Sequence, residues 1–500
     1  MSEQAGNPQD LRAARLKKLD ALRAAGIEPF AVEFDRTHST AAARALFEAL
    51  PAGGEEDSPR TEPVRVAGRV VRHRAQGGAG FADILDETGR VQLYARVDTL
   101  GEGGMALFND LDLGDIVGVQ GPVFRTRRGE VSVDVQELGL LTKALRPLPD
   151  KWHGLKDVEL RFRQRHVDLT VNPEARRVLD LRHRLIRGIR EFMWSRGFVE
   201  VETPVLHKVA GGAAARPFVT HHNTLDIDLY LRIAEELHLK RLVVGGFERV
   251  FEIGRVFRNE GIDATHNPEF TILEVYEAFT DYRGMMRLTR DMFQHLAREL
   301  NGNERFTYGG AEIDLSGEWP AREMLDLVAE ASPGVDIEDE EALRARADQL
   351  GAVPRQRDWG ELVYEVFERA VEERLTAPTF VTGFPISVSP LARRRAGDPR
   401  LADRFELFIA GNELANAFSE LTDPLDQRAR FEQQARARAA GDEETHPMDE
   451  EFIAALEQGM PPTGGLGVGI DRLAMLFADV RNIREVLAFP LMRDAPAGEE

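Results

Sequence analysis

The chain has 500 residues, 43% hydrophobic and 30% charged, enough apolar material for two or three buried cores and the composition of a soluble multidomain protein. It contains no cysteine, which excludes disulfides, thiolate zinc sites and cysteine nucleophiles and leaves carboxylates and histidines to hold hard cations such as Mg2+. The net charge of -21 is unevenly spread, with bases gathered between Lys151 and Arg196 and acids (Asp442, Glu443, Glu444, Asp449, Glu450, Glu451) near the end, so a polyanion can still dock locally.

The opening MSEQAGNPQD lacks the basic-then-apolar pattern of a signal peptide, and no run of about twenty apolar residues follows anywhere, so a cytoplasmic protein with no membrane association is expected. Leu11, Arg15, Leu16, Leu19 and Leu22 recur at helical spacing, with Gly26 and Pro29 as the stop. The Pro-, Gly- and acid-rich PAGGEEDSPRTEP (51–63) reads as a solvated linker, which makes 1–60 a helical extension. From Val64 to Leu141, five β-rich runs (VRVAGRVVRHR, GFADIL, VQLYARV, DIVGVQGPVFRT, VSVDVQEL) alternate with turn signals such as DETG, predicting a small OB-type barrel over 61–145. LTKALRPLPDKWHG cannot continue one regular element and opens a hinge over 146–172.

Beyond the hinge, Leu181, Leu185, Ile189 and Phe192 share one helical face, Gly197 ends that helix, and FVEVETPVL follows as a strand. Strands and helices are then mixed without βαβ regularity, and neither a GxxxxGK[ST] loop nor a strand-linked GxGxxG occurs. The fold class is therefore α+β: an N-terminal barrel and, over 173–495, a domain built on an antiparallel sheet flanked by helices.

Three stretches carry chemistry. FERVFEIGRVFRNEGIDATHNPEFTILEVYEAF (247–279) reads as strand, polar loop, strand. Arg258 and Glu260 lie two apart on the first strand, and Phe270, Glu274 and Tyr276 share a face of the second. Either strand alone suits an ion-paired solvated sheet, whereas both together, with His266 in the loop, point to a binding site. DRFELFIAGNELANAFSELTDP (403–424) reads as a hairpin turning at Gly411-Asn412. That turn places Glu406 and Glu413 on one face and Asn416, Phe418 and Glu420 on the other, so a single site using all five needs a β-bulge between Glu413 and Asn416. The two glutamates suit Mg2+ bound to phosphates, or plain surface charge. GMPPTGGLGVGIDRLAMLFADV (459–480) reads as a glycine-alternating strand entering a helix, where Arg472 and free backbone N–H groups suit a terminal phosphate.

In this order the stretches resemble the signature motifs of class II aminoacyl-tRNA synthetases: GFVEVETPVL as the first, FRNEG with its loop as the second, GLGVGIDR as the third. The runs TKALRPLPDKWHGL, GGAAARPFVTHHN, LYLRIAEELHLKRLVVGGFERVFEIGR, THNPEFT, SPLARR and NELANAFSELTDP look like the lysine-specific members, and the resemblance spans Val64 to Arg493. It implies a six- or seven-stranded antiparallel sheet, a homodimer with Pro204 at the interface, ATP as substrate with up to three Mg2+ ions, and lysine and tRNA(Lys) as partners. Arg258 and Arg472 would be the catalytic cations, at the α- and γ-phosphates. Glu260 would take the adenine amino group, Phe270 the ring and His266 the outer phosphates, with Glu406 and Glu413 on Mg2+. Lysine would meet Gly212 and Glu236 at its α-amino group, Asn416 near its carboxylate, Phe418 in the same pocket, and Glu274, Tyr276 and Glu420 around its ε-ammonium. In the barrel, Phe81 would stack on an anticodon base, with Arg74, Gln92 and Glu137 as edge contacts. The chain departs from the family at Gly78, where Lys is common, and at His166, where Tyr is common.

Three other readings compete: an aspartate or asparagine enzyme of the same subgroup, a silent RNA-binding paralogue, and a stand-alone ligase that attaches lysine to a protein. The acid-lined pocket disfavours the first, the intact Arg258, Glu406, Glu413, Glu420 and Arg472 the second, and the complete barrel the third.

Overall fold

The structure is a computed structural model that describes residues 8–51, 59–76, 78–149, 155–213, 215–352, 357–439 and 447–494. Asp442, Glu443 and Glu444, most of the acidic linker and residues 150–154 of the expected hinge lie outside these. The chain forms two compact units, Met1–Leu155 and Lys156–Glu500.

The first unit opens with α1 (Pro8–Ala24), which stops where Gly26 takes φ 72°, as the sequence anticipates. α2 (Thr40–Glu48), not foreseen, starts where the Ser39 side chain accepts from the Ala42 N–H. Both helices bury apolar residues, Leu22, Ala43 and Phe47, in the core of the sheet that follows. That sheet comprises β1 (Val64–Gln76), β2 (Ala79–Asp86), β3 (Gly89–Arg96), β4 (Ile116–Gly121), β5 (Val123–Arg125), β6 (Val131–Asp134) and β7 (Glu137–Thr142), with α3 (Val97–Asn109) between β3 and β4. Seven strands replace the expected five because two runs break. Pro122, which lacks an N–H, splits β4 from β5, and β6 and β7 part at Val135 and Gln136. The order is β5-β6-β3-β2-β1-β4-β7. A bulge between Val70 and Arg72 lets the long β1 bend and pair with both β2 and β4. Val66, Val70, Ile84, Val91, Leu93, Val117, Val119 and Val133 fill the interior.

The second unit runs through α4 (Val158–Arg163), α5 (Arg165–Val171), α6 (Pro173–Ser195), β8 (Val199–Glu200), β9 (Leu206–His207), β10 (Val219–His222), β11 (Ile227–Leu231) and α7 (Glu236–Val244). There follow β12 (Arg249–Phe257), β13 (Glu269–Ala278), α8 (Tyr282–Asn301), β14 (Arg305–Tyr308), β15 (Ala311–Asp314), β16 (Ala321–Glu323), α9 (Met324–Ala331), α10 (Glu340–Gln349) and α11 (Trp359–Ala370). The last elements are β17 (Thr379–Thr382), β18 (Arg404–Ile409), β19 (Asn412–Ser419), α12 (Pro424–Ala439), α13 (Glu450–Glu457), β20 (Thr463–Gly469), α14 (Ile470–Ala478) and α15 (Ile483–Val486).

The main sheet has eight strands in the order β16-β17-β18-β19-β20-β13-β12-β8. It is antiparallel at its centre, but β8 joins β12 and β16 joins β17 in parallel, which corrects the expected six- or seven-stranded antiparallel sheet. FVEVETPVL supplies only the two-residue β8 and the start of β9, since Pro204 cannot donate to a ladder.

Strand alternation divides this sheet into a dry face and a polar one. Phe251, Leu273, Val275, Phe405, Leu407, Ala415, Ala417, Leu466 and Val468 bury themselves against α6, α8 and α14, including Leu181, Leu185, Ile189 and Phe192 as the helical spacing predicts. The other parity carries Glu274, Tyr276, Arg404, Glu406, Asn416, Phe418, Gly465 and Gly467.

Candidate active site

On the polar face lies a cavity of about 470 Å³. It is lined by Gly212, Glu236, Arg258, Glu260, His266, Phe270, Glu274, Tyr276, Glu406, Glu413, Asn416, Phe418 and Arg472, so thirteen of the fourteen residues expected at the active site converge on it. The fourteenth, Glu420, stands behind the wall at 2% exposure.

The hairpin explains the convergence. Ala410 and Gly411, both at positive φ, form the turn, one residue earlier than expected, and Ile409 pairs with Asn412. Phe408 then pairs with Glu413 but Leu407 with Ala415, so Leu414 is the extra residue of a bulge. The bulge lies between Glu413 and Asn416, where the sequence requires it, and turns Glu413, Asn416 and Phe418 to the face of Glu406. The glycines of β20 leave the cavity open: a Cβ at Gly465 would sit 2.7 Å from the Tyr276 ring and clash with the Glu420 carboxylate.

One end of the cavity is cationic. β12 stops at Phe257, so Arg258 and Glu260 sit in the loop beyond it, not on the strand as the spacing suggested, although Arg258 N–H still donates to Pro268 O at 2.8 Å. The Arg258 guanidinium lies 5.0 Å from the Phe270 ring centre, and its Nε is buried without a hydrogen-bond partner, a donor waiting for an anion. Burial pulls the Arg258 pKa down, against the pull of Glu260, Glu413 and Glu274. Arg472, in the first turn of α14, donates through Nη1 to Glu413 Oε2 at 3.3 Å, while its Nη2 lies 3.2 Å from His266 Nε2. His266 Nδ1 lies 2.9 Å from Asp263 Oδ2, which fixes the tautomer: Nδ1–H donates to Asp263 and Nε2 accepts from Arg472. Asp263, which the sequence reading missed, is held at about 2: slight burial opposes its charge, and donors from Thr265 and His266 outweigh that.

The two candidate metal ligands belong to β18 and β19. Glu406 accepts from Arg404 Nη2 at 2.5 Å, and Arg404 Nε donates to Asn416 Oδ1 at 3.0 Å. Burial pushes Glu406 up to about 8; Arg404 opposes this and the charges of Glu413 and Glu372 add to it. Glu372, also missed, is pushed to about 7 by burial and Glu413.

The opposite end is acidic. Glu274 is driven well above the usual carboxylate range by burial and by Glu235 and Glu236, and accepts from the Tyr276 hydroxyl at 3.2 Å. Glu236 and Glu420 share one partner, the ammonium of Lys240, which lies 2.5 Å from Glu236 Oε1 and in direct contact with Glu420 Oε2. Lys240 was not chosen from the sequence. The available signal was its i,i+4 spacing from Glu236 on α7.

In the barrel, Arg74 pairs with Phe81, Phe81 with Tyr94, and Asp83 with Gln92, so Arg74, Phe81 and Gln92 share one face. Phe81 is 39% exposed and stacks on Tyr94 with centroids 4.9 Å apart. Gln92 accepts from Ser132 Oγ at 3.0 Å. Glu137, the first residue of β7, pairs instead with Gln120 of β4, so the strand order does not set it beside Arg74, Phe81 and Gln92 as expected.

Among the described residues no helix is long and apolar enough to cross a membrane. Residues 157–493 match the family model of class II tRNA synthetases for D, K and N, and residues 64–141 match the OB-fold nucleic acid binding domain. The chain is 55% identical over 488 residues to the lysine–tRNA ligase of Moorella thermoacetica, covering 97% of this chain and 98% of that one. It is 52% identical to those of Halalkalibacterium halodurans, over all of both chains, and Carboxydothermus hydrogenoformans, over 97% of this chain and 98% of that one. The chain thus belongs to the class II tRNA synthetases, among the lysine–tRNA ligases.

Proposed function

We propose that the cavity joins L-lysine to ATP as lysyl-adenylate, releasing pyrophosphate, and that the same site passes lysine to the 3′ end of tRNA(Lys), releasing AMP. The observation that carries this reading is the cavity's polarity: Arg258, His266 and Arg472 gather at one end, and Glu236, Glu274 and Tyr276 line the other, with Glu420 behind them. A desolvated ammonium needs acids and acceptors, whereas aspartate or asparagine would need a cation or an amide donor there.

In the first step a lysine carboxylate oxygen bonds to the α-phosphorus as the bond to pyrophosphate breaks. The carboxylate is already a nucleophile, so no side chain has to remove a proton, and catalysis reduces to alignment and charge stabilisation. Arg258 bridges the α-phosphate and the carboxylate, Phe270 stacks on adenine and Glu260 takes its amino group. His266 and Arg472 hold the outer phosphates. Gly212 and Glu236 take the α-amino group, Asn416 steers the carboxylate, Phe418 packs along the side chain, and Glu274 and Tyr276 meet the ε-ammonium, with Glu420 adding its charge from behind the wall. In the second step the terminal ribose hydroxyl attacks the acyl carbon and AMP leaves.

Mg2+ fits this site on the chemistry of its donors: Glu406 and Glu413 offer only oxygen, and the repulsion that Glu413 exerts on the buried Glu406 is what a hard cation relieves. When bound with ATP, up to three such ions would neutralise the phosphate oxygens. A homodimer is supported by exposed apolar side chains near the first motif, Val199 (47%), Val205 (40%), Leu206 (49%) and Val219 (60%). The barrel edge at Phe81 would read the anticodon. Dependence on ATP and tRNA supports a cytoplasmic location. Charging of purified tRNA(Lys) with lysine tests the reading, and absence of lysyl-tRNA with active ATP turnover would refute it.

A further inference from the structure

Only seven of the 64 basic residues are lysines, yet one of them, Lys240, is fully buried beside the amino-acid pocket. Its ammonium touches Glu236, one helical turn earlier on α7, and Glu420, which follows β19. The Phe418 and Phe452 rings lie 5.4 and 5.9 Å away. Gly465 has no Cβ because the Glu420 carboxylate occupies that space. The slot suits a compact ammonium with three donors and not a planar guanidinium, which accounts for lysine in an arginine-rich chain.

We propose that Lys240 is a positioning residue for amino-acid selection: its ammonium holds the Glu236 and Glu420 carboxylates in place and favours their charged forms, so that the pocket attracts a side chain ending in a cation. This rests on reading the cavity as the lysine subsite. Three acids, Glu236, Glu274 and Glu420, crowd a space enclosed by protein, with Glu235 and Tyr276 beside them and Arg404 facing Glu236. Burial drives such carboxyls toward the neutral form, and a neutral carboxyl gives an ammonium no ion pair. Burial leaves Glu236 raised and pushes Glu420 up to about 8, and at both acids the pull that opposes it comes first from Lys240. Burial works against Lys240 itself, but the two acids outweigh it and its pKa is raised, so it stays charged throughout the working range. α13 contributes the apolar Phe452 to this contact. A single internal cation thus serves two acids that arrive from different elements, one assigned to each end of the substrate's pair of amino groups.

The test is ATP–pyrophosphate exchange by wild type and Lys240→Met between pH 6.5 and 9. At pH 7 the variant should show a lysine KM raised at least about tenfold with an ATP KM within about twofold of wild type. Without Lys240 the acids ionise only at higher pH, so the lysine KM defect should shrink as pH rises. A lysine KM equal to wild type, a defect equal for ATP, or a defect independent of pH overturns the proposal. If wild type itself shows no lysine-dependent exchange, the reading of the cavity fails instead. Labelling the seven lysines with 15N reads the same point without a substitution. The Lys240 ammonium signal should move when lysine is added and stay when ATP is added, and no response to lysine overturns the proposal even if Lys240→Met does not fold.

Discussion

Arg472 donates to the carboxylate of Glu413 at 3.3 Å, so the cation expected at the γ-phosphate and an acid expected on Mg2+ are paired with each other. Glu406 is likewise paired with Arg404. On the proposed function, the phosphates of ATP would replace Glu413 on Arg472, and Glu406 and Glu413 would hold Mg2+.

Changing Glu406 or Glu413 to Gln should therefore raise the Mg2+ concentration needed for half-maximal exchange at fixed ATP. Titrating Mg2+ against exchange rate checks it, and unchanged half-saturation in both variants contradicts a metal role.

Phe81→Ala should impair charging and spare adenylate formation. The ring is exposed on one face and supported by Tyr94 on the other, a shelf on which a base can stack. Loss of one stacked base costs about 1 to 3 kcal/mol, or roughly one to two decades in the kcat/KM for tRNA. Equal losses in exchange and charging would contradict anticodon reading by this face.

Much of this site is legible in the sequence because sheet parity is simple. Glu406, Glu413 and Asn416 can share a cavity only through a bulge, and Leu414 supplies it. Glycine alternation in β20 likewise announces an open strand face. Other features hide in tertiary context. Arg258 and Glu260 keep strand spacing, but Asn259 N–H bonds to Arg216 O, far away in sequence, and the strand has ended. The turn shifts to Ala410-Gly411 because Ala410 accepts φ 55°, a conformation its residue type does not advertise. Sheet parity groups Glu420 with Asn416 and Phe418 but says nothing of its own ion-pair partner. Its partner Lys240 lies on a helix 180 residues earlier, and no local pattern links the two.

Stability of the second unit should fall as pH drops from the ordinary histidine value of 6.5 toward 4. His207 is buried, with Nε2 2.9 Å from Pro204 O and its ring 4.5 Å from that of His238. Burial, then the nearby His238, pushes its pKa down to about 4. The unfolded chain binds a proton there that the folded one refuses, so folding loses free energy across that window and not above it. Melting temperature against pH reads this. His207→Gln should flatten the slope, and an unchanged slope would assign it to other groups.

Glu420→Gln keeps the shape of the pocket wall and removes a buried charge that Lys240 also uses. Breaking a buried charged pair costs about 3 to 5 kcal/mol, which puts the loss in lysine kcat/KM at roughly two to three decades or more. The ATP KM should move little, and the preference for lysine over norleucine should collapse. A variant that keeps both its lysine kcat/KM and that preference would remove Glu420 from selection.

Selection of lysine by an acid-ended cavity on a class II sheet is tested most directly by ATP–pyrophosphate exchange of the wild-type protein against lysine, aspartate, asparagine and norleucine. Rapid exchange with lysine and only background with the other three is expected. Exchange supported by aspartate or asparagine, or by norleucine as well as by lysine, would contradict it.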